Sequence, residues 1–288
     1  MTLSTTTPRR RRARHHARRA GTIAAALAAL STLVATSASA GGRTGDVRKA
    51  PLSPRAIFPV GVRSALEPSG MSPPRATALS GYRLSYVTDF VGRALPKGWG
   101  KFNGVPNGDD QNRWAPSHVT VGSGMMRLIT SRGATGSWVA GGVSQFGVGH
   151  TYGAYFVRSR VTGPGPDQNE MLWPVAHVWP PEVDFNETGY STTSTSWTVH
   201  YGHGNAFMQE TGTFAMTRWH TWGVIWTPTS LTFTMDGHSW GRITNTRVIP
   251  HIKMSLDIQQ QVWCQPNYAC PTRASALEID WVAEYVRG

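Results

Sequence analysis

The sequence predicts an all-β sandwich. The chain of 288 residues contains 31 Gly and 19 Pro but only 15% charged residues, a composition that disfavours long solvent-exposed helices and supplies many turns. Short segments rich in Val, Ile, Thr and aromatic residues recur about every ten residues, as in sandwich proteins. Because 40% of the residues are hydrophobic, the chain can bury one sizeable core.

The first 40 residues have the features of a secretory signal peptide. They contain seven arginines and no acidic residue, then an apolar stretch at 22–34 and an Ala-Ser-Ala cleavage pattern at 38–40. The stretch is too short for a stable membrane span, so we expect secretion and no membrane attachment after cleavage. The arginine pair at 18–19 leaves a twin-arginine or a general export route open.

Residues 41–81 predict a disordered linker, because Pro, Gly, Ser and Arg are mixed there without periodicity. We expect one folded domain at 82–288, since all twelve tryptophans lie between Trp99 and Trp281. Residues 81–288 hold fifteen basic and fourteen acidic residues, so the net charge of +12 belongs to the N-terminal segments. A nearly neutral domain predicts no nucleic-acid partner. We expect a monomer.

Ten segments of the domain predict strands. They are 118–121, 125–131, 140–146, 152–161, 182–186, 196–201, 221–226, 231–235, 252–258 and 276–286. Asp236-Gly237 predicts a tight hairpin turn. The sequence has no phosphate-binding glycine loop, serine-centred elbow or kinase signature, which leaves nucleotide and acyl-transfer chemistry without support.

The two cysteines predict a disulfide. Cys264 and Cys270 enclose five residues, and in an exported protein such a pair is more often bonded than free. A zinc site would need more ligands, and the nearest histidine, His251, precedes Cys264 by thirteen positions.

Three acidic residues cluster in the segment 182–187. In a regular strand Glu182 and Asp184 share a face and Glu187 points to the other. A β-bulge at Phe185-Asn186 would bring all three carboxylates to one face, and bulges are common beside active sites.

Crowded carboxylates have pKa values that are pushed apart, so one can remain an acid while another stays ionised, as glycoside hydrolysis requires. The alternatives are a calcium site or a solvated acidic turn. Calcium loops need more oxygen ligands in a flexible loop, whereas Val183 and Phe185 alternate as in a packed strand, and this favours the catalytic interpretation.

The same residues resemble the signature of glycoside hydrolase family 16, the laminarinase, lichenase, agarase and carrageenase group. The bulged form of that signature is E-x-D-x-x-E, which Glu182, Asp184 and Glu187 match. Five further segments, in order over about 200 residues, are similar to other family blocks: Trp114–Val121 with Met125–Leu128, Gly153–Arg158, Leu172–Pro174, Trp219–Pro228 and Ile279–Val282.

The resemblance implies a β-jelly roll of two curved antiparallel sheets, with a glycan cleft across the concave face and a retaining mechanism. By position, Glu182 is the nucleophile and Glu187 the general acid/base. Asp184 lies between them and tunes their charge and hydrogen bonding.

Further site residues are less specific. Aromatic planes match the C–H faces of sugars, so Trp173, Trp179, Trp138 and Trp263 are candidate stacking residues, although core packing is the ordinary role of a Trp. The family resemblance singles out Trp173, implies that His200 forms hydrogen bonds in the cleft, and aligns Asp280 with a residue that binds a structural calcium. We expect no cofactor in catalysis.

The leading hypothesis is therefore a secreted endo-glycosidase acting on a β-linked polysaccharide, with β-1,3- or mixed β-1,3/1,4-glucan as the default substrate. One alternative is a glycan-binding module that has lost catalysis, against which the three intact carboxylates argue. Another is a transglycosylase that acts through the same covalent intermediate.

Overall fold

The computed structural model describes residues 56–105, 112–262, 264 and 270–288, and it confirms the all-β class. These ranges contain nineteen strands and one turn of 3₁₀ helix, Pro116–His118. No helix within them is long and apolar enough to cross a membrane. The signal peptide and the first part of the predicted linker lie outside the described residues.

The strands are numbered in chain order. They are β1 (Val62–Arg63), β2 (Met71–Ser72), β3 (Tyr82–Thr88), β4 (Gly100–Lys101), β5 (Asn112–Trp114), β6 (Val119–Gly122), β7 (Met125–Arg132), β8 (Trp138–Ala140), β9 (Gly142–Ser144), β10 (Gly153–Val161), β11 (Asp167–Pro174), β12 (Glu182–Glu187), β13 (Ser194–Tyr201), β14 (Ala206–Thr213), β15 (His220–Thr227), β16 (Ser230–Met235), β17 (His238–Ile243), β18 (Met254–Gln261) and β19 (Ser275–Arg287).

Two large sheets form the sandwich. The seven-stranded sheet has the order β14-β13-β12-β11-β18-β9-β4. The ten-stranded sheet has the order β17-β16-β15-β10-β19-β7-β8-β5, with β3 beside β19 and β6 beside β7. The described pairings are antiparallel apart from that of β5 with β8. Strands β1 and β2 form a separate small hairpin.

The main core lies between the two sheets. Val183 and Phe185 of β12 are fully buried in it, together with Trp222 of β15. Trp197 of β13 stacks on Phe233 of β16 with 4.7 Å between ring centroids, and this contact joins the sheets directly. Since side chains alternate along a strand, the other face of the seven-stranded sheet carries the neighbouring residues of β12.

The predicted hairpin is confirmed. Asp236 and Gly237 link β16 to β17 and have φ values of 47° and 80°. Two consecutive positive φ angles define the type I′ turn, whose twist matches that of the flanking strands.

The predicted linker boundary at residue 82 requires correction. Residues 56–81 pack on the outer face of the ten-stranded sheet, where Leu79 joins a buried cluster with Phe156 and Trp281. The indole nitrogen of Trp281 donates to the Met71 carbonyl at 3.0 Å. The apolar residues of this arm are too widely spaced to show periodicity, and only the outer face of the sheet gives them a partner.

The ten predicted strand segments all overlap strands, but eight strands lie outside them. These are the short strands β1, β2, β4 and β5, together with β3, β11, β14 and β17. The first half of β11, Asp167–Glu170, is polar because it lines a site, and a polar run looks like a loop. Strand β14 lies at a sheet edge and is exposed, so its hydrophobicity does not alternate. Strand β17 is the second strand of the predicted hairpin.

The predicted disulfide between Cys264 and Cys270 is present, with 4.8 Å between the Cα atoms. It follows β18 and precedes β19. Trp263, a predicted stacking residue, lies outside the described residues.

Candidate active site

The predicted β-bulge is present in β12. On one side Asn186 pairs with Glu170 and Asp184 with Met171, so Phe185 is an extra residue in the ladder. The register towards β13 also shifts between Asp184 and Glu187. Phe185 and Asn186 are both buried, and Glu187 returns to the face that carries Glu182 and Asp184.

Glu182 is held by an aromatic donor. The indole nitrogen of Trp179 donates to Glu182 Oε2 at 2.6 Å. Burial raises the pKa of Glu182 and the charge of Glu187 raises it further, whereas His200 and the Trp179 N–H group lower it. The indole therefore favours the ionised carboxylate that a nucleophile needs.

Asp184 is fully buried between its neighbours. The amide nitrogen of Asn169, on β11, donates to Asp184 Oδ1 at 2.7 Å. Burial holds the pKa of Asp184 well above its usual range, and the charges of Glu182 and Glu187 act in the same direction. Burial and the two neighbouring charges therefore favour the protonated form of Asp184.

Glu187 is oriented by a relay of two side chains. The Thr198 hydroxyl, on β13, donates to Glu187 Oε2 at 2.7 Å. The amide nitrogen of Gln209, on β14, donates to Thr198 Oγ1 at 2.9 Å. Three neighbouring strands thus contribute to the position of one carboxylate.

His200 lies beside the carboxylates, as predicted. Its Nε2 is 3.8 Å from Asp184 Oδ2, and its Nδ1 is 2.8 Å from Asn205 Oδ1. The His200 ring packs against the Trp179 ring with 5.6 Å between centroids. The structure therefore brings Trp179 and His200 together with the three acids.

The sequence reasoning missed several polar neighbours of the acids. Asn169, Thr198 and Gln209 hold the acids in place by the hydrogen bonds described above.

Two further carboxyl groups, Asp167 and Asp257, lie nearby. The pKa of Asp167 is raised by desolvation and by the charge of Glu187. Burial raises the pKa of Asp257 to about 8, with a smaller contribution from the charge of Glu182.

A sequence signal exists for one of these strands. Ser196, Thr198 and His200 alternate with the buried Trp197 and Val199, which marks a polar face. Asn169 and Gln209 offer no such signal, because only the order of strands β11, β12, β13 and β14 places them beside β12.

The cluster has the composition of a small metal site. One ligand atom from each of Glu182, Asp184 and His200 lies within 4.8 Å of the others. However, Glu182 and Asp184 each accept a short N–H bond, from Trp179 and Asn169. This arrangement fits a hydrogen-bonded acid/base group better than a cation site.

Two predicted stacking residues are more buried than a sugar platform requires. Trp173 follows Leu172, which pairs with Val183, so it sits across from Glu182, but it is only 3% exposed. Its stacking role stays a prediction. Trp138 is 4% exposed on β8 of the other sheet.

The Arg132 guanidinium lies 4.6 Å from the centroid of the Trp138 ring and covers one of its faces. The stacking role of Trp138, like that of Trp173, stays a prediction.

Asp280 lies on β19, away from the acids of β12. Its Oδ2 accepts the Ser69 N–H at 3.3 Å, whereas its Oδ1 is buried without a hydrogen-bond partner among the described residues. Burial raises the pKa of Glu67, and the charges of Asp280 and Asp89 raise it further. A buried carboxylate oxygen without a partner could serve as one oxygen ligand of a calcium ion. Among the described residues, the one group of acidic and histidine side chains close enough together to hold a metal is Glu182, Asp184 and His200.

Comparisons with known proteins agree with this geometry. The model of the family Glycosyl hydrolases family 16 matches residues 110–283. A search against curated protein sequences finds no match.

Solved structures share the fold at low identity. The laminarinase catalytic domain from Thermotoga maritima has a TM-score of 0.63 and 15% identity, over 72% of this chain and 98% of that one. SCLam, a non-specific endo-β-1,3(4)-glucanase from family GH16, has a TM-score of 0.65 and 20% identity, over 81% and 97%. A Bacteroides ovatus mixed-linkage glucan GH16 protein, solved with an oligosaccharide product, has a TM-score of 0.58 and 19% identity, over 69% and 99%.

The family match covers more than half of the chain and includes the bulged strand with its three acids. The chain belongs to glycosyl hydrolases family 16.

Proposed function

We propose that the protein is a secreted, retaining endo-glycosidase that hydrolyses β-1,3- or mixed β-1,3/1,4-glucan. The observation that carries the proposal is the bulged strand β12, on which Glu182, Asp184 and Glu187 share a face and each accepts a hydrogen bond from a different side chain. The substrate follows the names of the similar structures, which are laminarinases and glucanases.

The proposed reaction has two steps. Glu182 attacks the anomeric carbon as a carboxylate while Glu187 protonates the leaving oxygen, which gives a covalent glycosyl-enzyme. Glu187 then removes a proton from water, and the water displaces Glu182. Asp184 keeps its own proton throughout, so it limits the negative charge beside Glu182.

Chemical rescue tests the two roles. Glu182→Ala is expected to lose nearly all activity on laminarin, and added azide should then give an α-glycosyl azide. Glu187→Ala should retain turnover of an activated aryl β-glycoside, because that leaving group needs no acid, and azide should give a β-azide. Proton NMR of the first wild-type product should show the β anomer.

Glu210→Gln is the matched control. Glu210 follows Gln209 on β14 and pairs with Trp197, so it lies on the opposite face of the strand and should be replaceable without loss of activity. An inverted first product, or wild-type rates for Glu182→Ala, would contradict the mechanism. Longer products formed with an added sugar acceptor would indicate the transglycosylase alternative. Binding of laminarin without any turnover would indicate the binding module.

For the family's structural calcium, we propose that Asp280 would supply a ligand through its buried Oδ1, within the electrostatic influence of Glu67 and Asp89. The role of the ion there is to neutralise these carboxylates and so stabilise the outer face of the ten-stranded sheet.

A further inference from the structure

We propose that Phe207 forms an outer sugar-binding subsite, where its ring stacks on one face of a pyranose unit of the bound polysaccharide. The subsite rests on the proposed function, because it extends the same cleft. Phe207 lies on β14, the edge strand of the seven-stranded sheet, and no predicted site residue comes from that strand.

Three rings form a row that leads from Glu182 to the sheet edge. Trp179 donates to Glu182, and the centroid of its ring is 5.6 Å from that of His200. Phe207 pairs with His200 across the β13–β14 ladder, with 6.0 Å between the ring centroids. The row therefore begins at the proposed nucleophile and ends at Phe207.

The hydrogen bonds from Gln209 through Thr198 to Glu187 show on which face of β14 Phe207 lies. Gln209, two residues further along β14, donates to Thr198, which donates to Glu187. Because alternate residues of a strand share a face, Phe207 is on the same face as Gln209 and the acids. Met208 pairs with Val199 of the core, so it lies on the opposite face.

The exposure of Phe207 is unusual for its residue type. Its side chain is 48% exposed, although burying a Phe contributes about 1.5–3 kcal/mol to folding. The Phe207 ring lies beside the His200 ring on the face of the acids, so its exposed surface is open to a ligand bound along this row of rings. The flat apolar ring can stack on the C–H face of a pyranose, and this apolar contact replaces contact of both surfaces with water.

The distance indicates which sugar unit is involved. Neighbouring strands are about 4.8 Å apart, so β14 lies roughly 10 Å from β12 and Phe207 is roughly two sugar units from the scissile bond. Short substrates would end before this point, and long ones would cover the ring. Phe207 therefore contributes to the preference for polymer over short oligosaccharides.

Kinetics with substrates of different length test the subsite. For Phe207→Ala we expect KM to rise about three- to tenfold for laminarihexaose and laminarin, the range of one aromatic stacking contact. The rise should be clearly smaller for an aryl β-glucoside, because its single sugar unit ends before the ring. Phe207→Tyr should restore the wild-type KM, and Met208→Ala, on the opposite face of the same strand, should match the wild type throughout.

Equal effects of Phe207→Ala on short and long substrates, or none on either, would overturn the proposal. So would a concentration-dependent dimer in sedimentation that Phe207→Ala dissolves without a change in KM, since the exposed edge would then serve self-association.

If the wild type cleaves neither laminarin nor mixed-linkage glucan, the proposed substrate is wrong, but the subsite can still be tested by binding. Affinity electrophoresis of Glu182→Gln, with and without Phe207→Ala, in gels containing laminarin, agarose or carrageenan then reports stacking directly. Slower migration that depends on Phe207 in one of these gels supports the subsite, and equal migration in all of them overturns it.

Discussion

At the scale of single residues, the structure gives Trp179 a contact that the sequence did not predict. Stacking on a sugar stays a prediction, and the indole nitrogen donates to Glu182 Oε2 at 2.6 Å. A hydrogen bond to an ionised group is worth about 1.5–3 kcal/mol, roughly twice a neutral one. The indole therefore helps to decide the pH at which Glu182 becomes ionised.

Trp179→Phe keeps an aromatic ring and removes the donor. Without the N–H group the pKa of Glu182 rises, so the carboxylate is protonated at higher pH and the acid limb of kcat/KM should move to higher pH. The measurement is the pH profile on laminarin. Trp138→Phe, in the other sheet, is the control and should leave the profile in place. An unmoved acid limb in Trp179→Phe would show that the indole does not set the ionisation of Glu182.

At the scale of elements, the arm at 56–81 is part of the domain. It covers an aromatic cluster on the outer face of the ten-stranded sheet, and the Tyr285 hydroxyl donates to the Arg75 carbonyl at 2.9 Å. The arm also brings Ser69 to Arg158, whose Nε donates to Ser69 Oγ at 2.6 Å. Deletion of the arm would expose Phe156 and Trp281.

A protein that begins at Tyr82 should therefore be less stable than one that begins at Ala56. We expect a loss of at least about 3 kcal/mol, the contribution of one or two large apolar side chains returned to water. Thermal unfolding of the two proteins measures it.

Added calcium should raise the Tm of the longer protein more, because the shorter one lacks Glu67 and also Ser69, whose N–H group donates to Asp280. Equal Tm values of the two proteins without calcium would contradict the packing role of the arm. If calcium does not change the Tm of the longer protein, the proposed ion site is wrong.

At the scale of the whole molecule, the sandwich buries several carboxyl groups outside the catalytic strand. Burial raises the pKa of Glu170 to about 8, and that of Glu284 to about 8 as well. Both groups hold a proton in the folded state at pH values where the unfolded chain has lost it. Folding therefore takes up protons, and stability must fall as pH rises through this range.

Glu170→Gln replaces one such carboxyl group by a neutral amide of similar size. Between about pH 4.5 and pH 8 a single such group changes the free energy of unfolding by up to about 1.4 kcal/mol per pH unit. The free energy of unfolding of the variant should therefore match that of the wild type near pH 4.5 and exceed it increasingly as pH rises. Urea unfolding at several pH values measures the difference. Glu210→Gln, on the edge strand, is the control. Parallel stability curves for wild type and Glu170→Gln would show that Glu170 is ionised in the folded protein.

Sequence patterns alone predict the fold class, the hairpin at Asp236-Gly237, the disulfide and the bulged strand. These features depend on local rules, because alternation, turn chemistry and the spacing of Glu182 and Glu187 are set by residues close together in the chain. The resemblance to the family depends on that same local spacing.

Tertiary structure decided which side chains meet those acids and which tryptophans are free. Asn169, Thr198 and Gln209 come from three different strands, and no pattern within one strand reports the order of strands in a sheet. The exposure of Phe207 and the burial of Trp138 likewise depend on what packs above each ring. Contacts between residues distant in sequence are fixed only when both sheets close on one core, and the site is built from such contacts.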